Sequence, residues 1–490
     1  MKRSYKEVEP SYRSVATLSW EECDSVTLPC QLWLPRHNNE RPYFRFESTD
    51  ILHRQILGNS PVYNICIEFV DLAGETTSIT GFGIFLQDFE ISFLSSDNSS
   101  FTSFGGEADE LFLVEEMLDC FSGSRFEFFL GDNVLLEPKK WRVTHRNGNV
   151  EIRGHDPHVQ NINTLGEVTF EKRYYEIEQP DGAIATYSKL VATFDNQKEM
   201  NSSLQISKEI FPLLDDYLLL CSFAANQRTQ IFGWEIYSSG KVFKAWYGNL
   251  SDQGVITKDK HDLRSSVLQM RDFSNFIKQA SESFTNLSKP EQKIVRQAIH
   301  RTQPAPHRTV ESAILSFFSA IESLILLFRK QKKLEFTVPK STHWKKLEKK
   351  IKLIIHENSE YFPSDEHLDS LIKMLPSLRR VPLDIVYSKC LLERNIDLSD
   401  LWPVFAEGAS LSKIRNRLVH GEKFEEAEHD ALFIAMDHLE IIAKRIILSF
   451  LEWPTDSSNI SPSYLSTNGW SSYHNLNEIM SRVGRCDPPE

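Results

Sequence analysis

Val310-Glu-Ser-Ala-Ile-Leu-Ser-Phe-Phe-Ser-Ala-Ile-Glu-Ser-Leu-Ile-Leu-Leu-Phe-Arg-Lys-Gln331 decides how the second half of this chain folds. Apolar residues stand at Val310, Ile314, Phe317, Phe318, Ile321, Leu324, Ile325 and Phe328, at spacings of three and four. Residues so spaced share one helix face, so the pattern predicts a helix with a wide apolar stripe turned to a core. Glu322 lies within this stretch as a solvent-side carboxylate, a buried partner for a cation, or a packing irregularity.

The same helical period extends on both sides. Val267 to Phe284 and Pro290 to Arg301 read as helices, with Pro290 suited to a first turn and Pro304-Ala-Pro306 breaking the second. Downstream, Arg329 to Lys350 holds nine Lys and Arg among 22 residues, with Trp344 among them. That stretch reads either as a solvated helix face and linker or as a surface that follows RNA phosphates through Lys332, Lys333, Lys345, Lys346, Lys349 and Lys350. Residues 351–400 give further helices with turns near Phe362-Pro-Ser-Asp365, Pro376 and Pro382. Glu425 to Leu451 forms a last long helix, its acidic start matched to the helix dipole and its end set by Pro454. Residues 454–490, rich in Ser, Asn and Pro, read as an irregular tail with Trp470 and Tyr473 as possible docking points.

The first half has a different period. Cys30 to Leu34, Tyr43 to Glu47, Asn64 to Val70, Thr80 to Leu86, Phe126 to Leu130, Glu167 to Phe170, Arg173 to Ile177 and Ile231 to Tyr237 are short aromatic-rich runs broken by turn residues. They predict strands in antiparallel sheets. Leu204 to Ala225 can contain a helix, and Asp109 to Cys120 reads as a short one. The fold class is therefore α+β, with a β-strand-rich region over 1–260, an all-α bundle over 261–453 and the tail. Chemistry is not visible in the first half. Cys23, Cys30 and His37 lack the close ligand pairs of structural zinc, and His155-Asp156-Pro157-His158 is more simply a loop. Gly81-Phe-Gly83 and Gly105-Gly106 lack the lysine and helix start of a phosphate loop. Cys66 and Cys221 sit in apolar runs and are expected to be buried. No metal or other cofactor is expected.

The chain has 490 residues, enough for several domains, and its 41% hydrophobic and 25% charged content is that of a folded protein, not a disordered one. Its opening, Met-Lys-Arg-Ser-Tyr-Lys-Glu-Val-Glu-Pro10, lacks the apolar core of a secretory signal. No apolar run is read as long enough to span a bilayer. Seven scattered cysteines suit a reducing cytoplasm. The formal charge of −13 is uneven: residues 286–450 carry 26 Lys and Arg against 22 Asp and Glu, so the acidity lies elsewhere. Such asymmetry hints at nucleic-acid contact on the more basic part.

Between the last two helices lies Lys413-Ile-Arg-Asn-Arg-Leu-Val-His-Gly421. Arg415 offers a permanently charged planar fork for phosphate, and His420 a proton carrier near neutral pH. Residues five apart on a regular helix differ by about 140° in azimuth. The two share a face only if the helix ends between them, and Gly421 suggests such an ending. The plainer alternative is a helix cap whose arginine pairs with Glu422 or Glu425.

This stretch resembles the R-x4–6-H motif of HEPN-domain ribonucleases, in the form with Asn after Arg. Ser319-Ala-Ile-Glu322 resembles the early HEPN helix that carries a polar residue to the site. With a strand-rich first half containing Leu32-Trp-Leu-Pro35, the chain is similar to the ApeA group of bacterial anti-phage proteins. The HEPN part of the resemblance covers roughly 290–453 and implies a metal-independent endoribonuclease, active as a homodimer or a higher even-numbered oligomer. It implies that Arg415 and His420 bind the scissile phosphate of RNA, tRNA being one candidate, while the 2′-hydroxyl attacks. Asn416 would orient the histidine or donate to the phosphate, Glu322 would fix Arg415, and Arg417 would add to RNA binding. A phage-derived trigger sensed by the β-rich half is implied as a further partner, and no membrane. Where some HEPN toxins carry a tyrosine modified by a partner nucleotidyltransferase, this chain has Glu422. Two other readings stand beside it: a non-catalytic HEPN-type scaffold for dimerisation and RNA binding, and a carbohydrate- or peptide-binding protein acting through the β-rich half.

Overall fold

A computed structural model of the chain describes residues 10–20, 24–34, 41–48, 63–70, 76–93, 100–116, 123–137, 140–144, 150–154, 158–162, 165–178, 184–197, 209–238, 240–247, 266–304, 308–406 and 408–468. The chain divides into two units, Met1–Leu263 and Arg264–Glu490. Among the described residues the first unit holds a large antiparallel sheet with a buried helix on it, and the second is helical, so the α+β class with a β-rich first half holds.

In the first unit, strands β1 (Tyr12–Trp20), β2 (Asp24–Trp33), β3 (Tyr43–Ser48), β4 (Tyr63–Val70), β5 (Thr76–Phe93) and β6 (Ser100–Glu107) pair in the order β5-β4-β1-β2-β3-β6. A further pairing of β5 with β6 closes the ring into a six-stranded barrel. Alternation makes its core: Ala16 and Leu18, then Val26, Leu28, Cys30 and Leu32, then Phe44 and Phe46 all point inward. β5 serves both sides by bending at Gly83, which has φ +63°; a Cβ there would lie 2.7 Å from the Asp109 carboxylate.

The first half of β5 also pairs with β7 (Glu110–Glu116), from which the sheet continues. The other strands are β8 (Ser124–Leu130), β9 (Lys140–Thr144), β10 (Val150–Gly154), β11 (His158–Ile162), β12 (Gly166–Glu178), β13 (Ile184–Asn196), β14 (Ile231–Ser238) and β15 (Lys241–Tyr247). They run in the order β7-β15-β14-β8-β13-β12-β11, with β9 and β10 a separate hairpin. Helix α1 (Phe211–Ala225) lies on this sheet: Phe211 meets the ring of Phe128 edge-on at 5.5 Å and Tyr217 stacks on Phe170 at 5.7 Å.

Two expectations fail here. The stretch from Asp109 is strand β7, not a helix, because Leu111 and Leu113 alternate into the barrel core while β5 and β15 take up its backbone groups. Cys66 is exposed, although Cys221 is buried as read. Cys23, His37, His155 and Asp156 lie outside the described residues, and His158 begins β11. Among the described residues no group of His, Cys, Asp and Glu is placed to hold a metal ion.

In the second unit the helices are α2 (Phe273–Asn286), α3 (Lys289–Thr302), α4 (Val310–Gln331), α5 (Ser341–Glu357), α6 (Asp365–Met374), α7 (Leu383–Glu393), α8 (Leu411–Val419), α9 (His429–Phe450) and α10 (Pro462–Thr467). Helices α3, α4 and α9 pack on one another, and α7 and α8 lean on α4. Local signals set the ends. Ser288 and Glu291 form a capping box around Pro290, and Thr309 Oγ1 accepts from the Ser312 amide. By length and composition α4 is apolar enough to cross a membrane, contrary to the sequence reading, and half of its apolar window is buried inside the unit.

The first helix starts at Phe273 rather than near Val267 because the C-terminal segment claims the backbone before it. The Asn459 amide donates to the Val267 carbonyl at 2.8 Å, and its side chain donates to the Ser266 carbonyl. Residues 454–468, expected to be an irregular tail, therefore belong to this unit and include α10. Arg445, wholly buried, fixes them by donating to the Ile460 carbonyl at 2.7 Å while gripping Asp400 with two bonds of 2.5 and 2.6 Å. Trp470 and Tyr473 lie outside the described residues.

Candidate active site

The motif forms the C-terminal end of α8. Leu411 and Ile414 are the buried residues of this short helix, which leaves the rest of its surface for polar groups. His420 is its C-cap, with φ −82° and ψ 0°. The ending is a Schellman arrangement: Gly421 donates to the Leu418 carbonyl at 3.2 Å and Glu422 to that of Arg417 at 3.0 Å. Gly421 adopts φ +73°, which a residue with a Cβ enters only under strain. His420 stays close to helical geometry, so the chain does not unwind to bring its ring onto the face of Arg415. Both side chains are reachable, His420 exposed and Arg415 partly so.

The two arginines of the motif are held very differently. Arg417 grips Glu428 with bonds of 2.7 and 3.2 Å, reaches Glu422 at 3.2 Å and lies 4.0 Å over the ring of Phe424. Its side chain is 15% exposed and that of Glu428 14%. These bonds hold the Glu428 carboxyl below its usual range, and they staple the end of α8 to the start of α9. Because Glu425 and Glu428 form their own capping box there, α9 proper begins only at His429, later than the sequence suggested. The arginine–glutamate pairing of the capping alternative exists, but it belongs to Arg417.

Arg415 is held loosely. It lies 3.8 Å from Glu322, 5.5 Å over the Phe318 ring, and donates to the Asn416 side chain at 3.1 Å. Arg415 and Glu322 are each 33% exposed, so the pair is open to solvent and to any anion that competes for it. Of the expected site residues, Arg415, Asn416 and Glu322 therefore come together, with Asn416 directed to the arginine instead of the histidine. Arg417 is committed to the helix junction, which speaks against its expected part in RNA contact. The support from Phe318 was not read in the sequence, where it counted only as core.

The expected RNA-contacting lysines lie on other elements. Lys332 closes α4 and pairs with Glu393 at 2.8 Å. Lys333 follows it in a left-handed turn with φ +55°. Lys345, Lys346, Lys349 and Lys350 are exposed on α5, whose main packing is against α6 and the turn Leu375–Arg379. Of the residues of α5, Trp344 alone is buried. His438, on α9, is a core residue: wholly buried, it accepts from the Trp402 amide at 2.9 Å, and burial pushes it down to about 4.

Comparison of the chain with protein-family models, with curated proteins and with solved structures finds no match in any of the three.

Proposed function

We propose that this protein is a metal-independent endoribonuclease of the HEPN type, acting in bacterial anti-phage defence. One observation carries the reading. Arg417 does the structural work at the helix junction, while Arg415 and His420 stand accessible beside it with no structural bond of comparable strength. An always-charged fork kept available, and an exposed proton carrier five residues on that a second copy can set opposite it, make up the chemistry that phosphodiester cleavage needs.

In this mechanism the 2′-hydroxyl of the RNA attacks the adjacent phosphorus. His420 takes the proton from the nucleophile and returns it, as imidazolium, to the leaving 5′-oxygen. Arg415 stabilises the charge that gathers on the phosphorane oxygens, and Glu322 holds its guanidinium in place until substrate arrives. The products are a 2′,3′-cyclic phosphate and a 5′-hydroxyl. The divergence of Arg415 and His420 by about 140° around α8 favours a homodimer, in which a second copy completes each site. The β-rich unit would sense a phage component and release the nuclease, in the cytoplasm, against host RNA such as tRNA.

The test is RNA cleavage in EDTA by wild type, Arg415→Ala and His420→Ala, alone and with extract from infected cells, with the product ends mapped. Cleavage leaving cyclic-phosphate ends and lost in both variants is expected. RNA left intact by the wild type, even with extract that contains the trigger, would turn the reading to an RNA-binding scaffold.

A further inference from the structure

The stripe of α4 that carries Glu322 is flanked by two helices. Arg415 of α8 touches Phe318 and Glu322, whereas Ser316 donates to the carbonyl of Arg301 at the end of α3. Residues 316 and 318 differ by about 200° around a helix, so α8 and α3 stand on opposite flanks of α4. Between them run Leu315, Ser319, Glu322 and Leu326, spaced by four, three and four and hence aligned. This stripe is open: Leu315 is 36% and Leu326 41% exposed, and Ser319 and Glu322 are half-buried. It is the floor of a trough.

Arg301 reaches into the trough from the side opposite Arg415. Its Nη1 donates to the Ser319 carbonyl at 3.3 Å, one helical turn from Glu322. Among the described residues no carboxylate pairs with Arg301, and its side chain is partly exposed. A guanidinium with one long bond to a carbonyl keeps most of its five donors for an anion. The junction of α3 with α4 does not depend on this side chain. Arg308 Nη1 and the Ser316 hydroxyl both donate to the backbone carbonyl of Arg301, which any substitution retains.

We propose that Arg301 is a second phosphate-binding cation of this site, holding the RNA backbone on the far side of the α4 stripe from Arg415. It positions a phosphate neighbouring the scissile one and leaves the bond-breaking step to Arg415 and His420. This rests on the ribonuclease reading above. A cation that only positions substrate changes affinity and leaves the chemical step alone.

Cleavage kinetics of the full chain with Arg301→Ala and Arg301→Lys test it, beside equilibrium binding of a labelled single-stranded RNA oligonucleotide in the His420→Ala background. We expect Arg301→Ala to raise KM about tenfold with kcat within about twofold, and Arg301→Lys to recover part of the loss. Binding should weaken, and the log–log salt slope should shrink by about 0.7, the share of one single-strand phosphate contact. Lys293→Ala, which removes an exposed cation from the same helix, should change neither. Wild-type cleavage with KM and salt slope unchanged in Arg301→Ala overturns this inference alone, as does an equal shift in Lys293→Ala. A wild type that neither cleaves nor binds RNA overturns the ribonuclease reading and this inference with it.

Discussion

Replacing Arg417 with alanine should cost stability, and replacing Arg415 should cost far less. The Arg417–Glu428 pair has two charge-assisted bonds and side chains only 15% and 14% exposed. It lies between an exposed pair, worth about 0.2–1 kcal/mol, and a buried one whose breaking costs about 3–5 kcal/mol, so about 2 kcal/mol is reasonable. Losing the contact over Phe424 adds about 0.5–1 kcal/mol. Arg415→Ala removes an ion pair of 3.8 Å at one-third exposure, an exposed bond to its neighbour Asn416 and a loose contact 5.5 Å over Phe318, and should cost far less, about 0.5 kcal/mol. Urea unfolding followed by far-UV circular dichroism reads both. The pH dependence gives a second check. Glu428 is held below its ordinary value of 4.5, chiefly by the bonds from Arg417, so the stabilisation is present above that value and is lost as pH falls through the folded one. The gap between wild type and Arg417→Ala should therefore narrow in acid. Equal destabilisation by the two substitutions, or a gap independent of pH, would refute this division of labour.

Two further outcomes follow from neighbouring geometry. His438 is pushed down to about 4 by burial, so the folded state binds fewer protons than the unfolded state between that value and 6.5. The wild type should lose on the order of 3 kcal/mol as pH falls across this window, and His438→Gln, which keeps an acceptor for the Trp402 amide, should not; parallel stability–pH curves would contradict this. At Gly421 an added Cβ meets nothing within 4 Å, so Gly421→Ala should cost only backbone strain, about 1 kcal/mol by urea unfolding. Gly421→Asn, which tolerates the left-handed region better, should cost less, and the reverse order would show that the cap is not held in this conformation.

Periodicity determined a good deal of this protein. The spacing of apolar residues from Val310 to Phe328 revealed α4, and the short alternating runs revealed the class of the first unit, because which residues share a face follows from local order alone. Local chemistry also placed Pro290 in a first turn and His420 at a helix end before Gly421. What local order could not decide was which distant group claims a backbone or a side chain. Ser266 and Val267 are taken by Asn459, so a helical pattern there gives no helix. Glu110–Glu116 becomes a strand because β5 and β15 lie on either side of it. In the site, Arg415 and Arg417 are two residues apart and look alike in sequence. Only the arrival of Glu428 on one side of α8 and of Phe318 and Glu322 on the other separates a structural arginine from an available one, since ion pairing depends on distances that the chain sets only once it has folded.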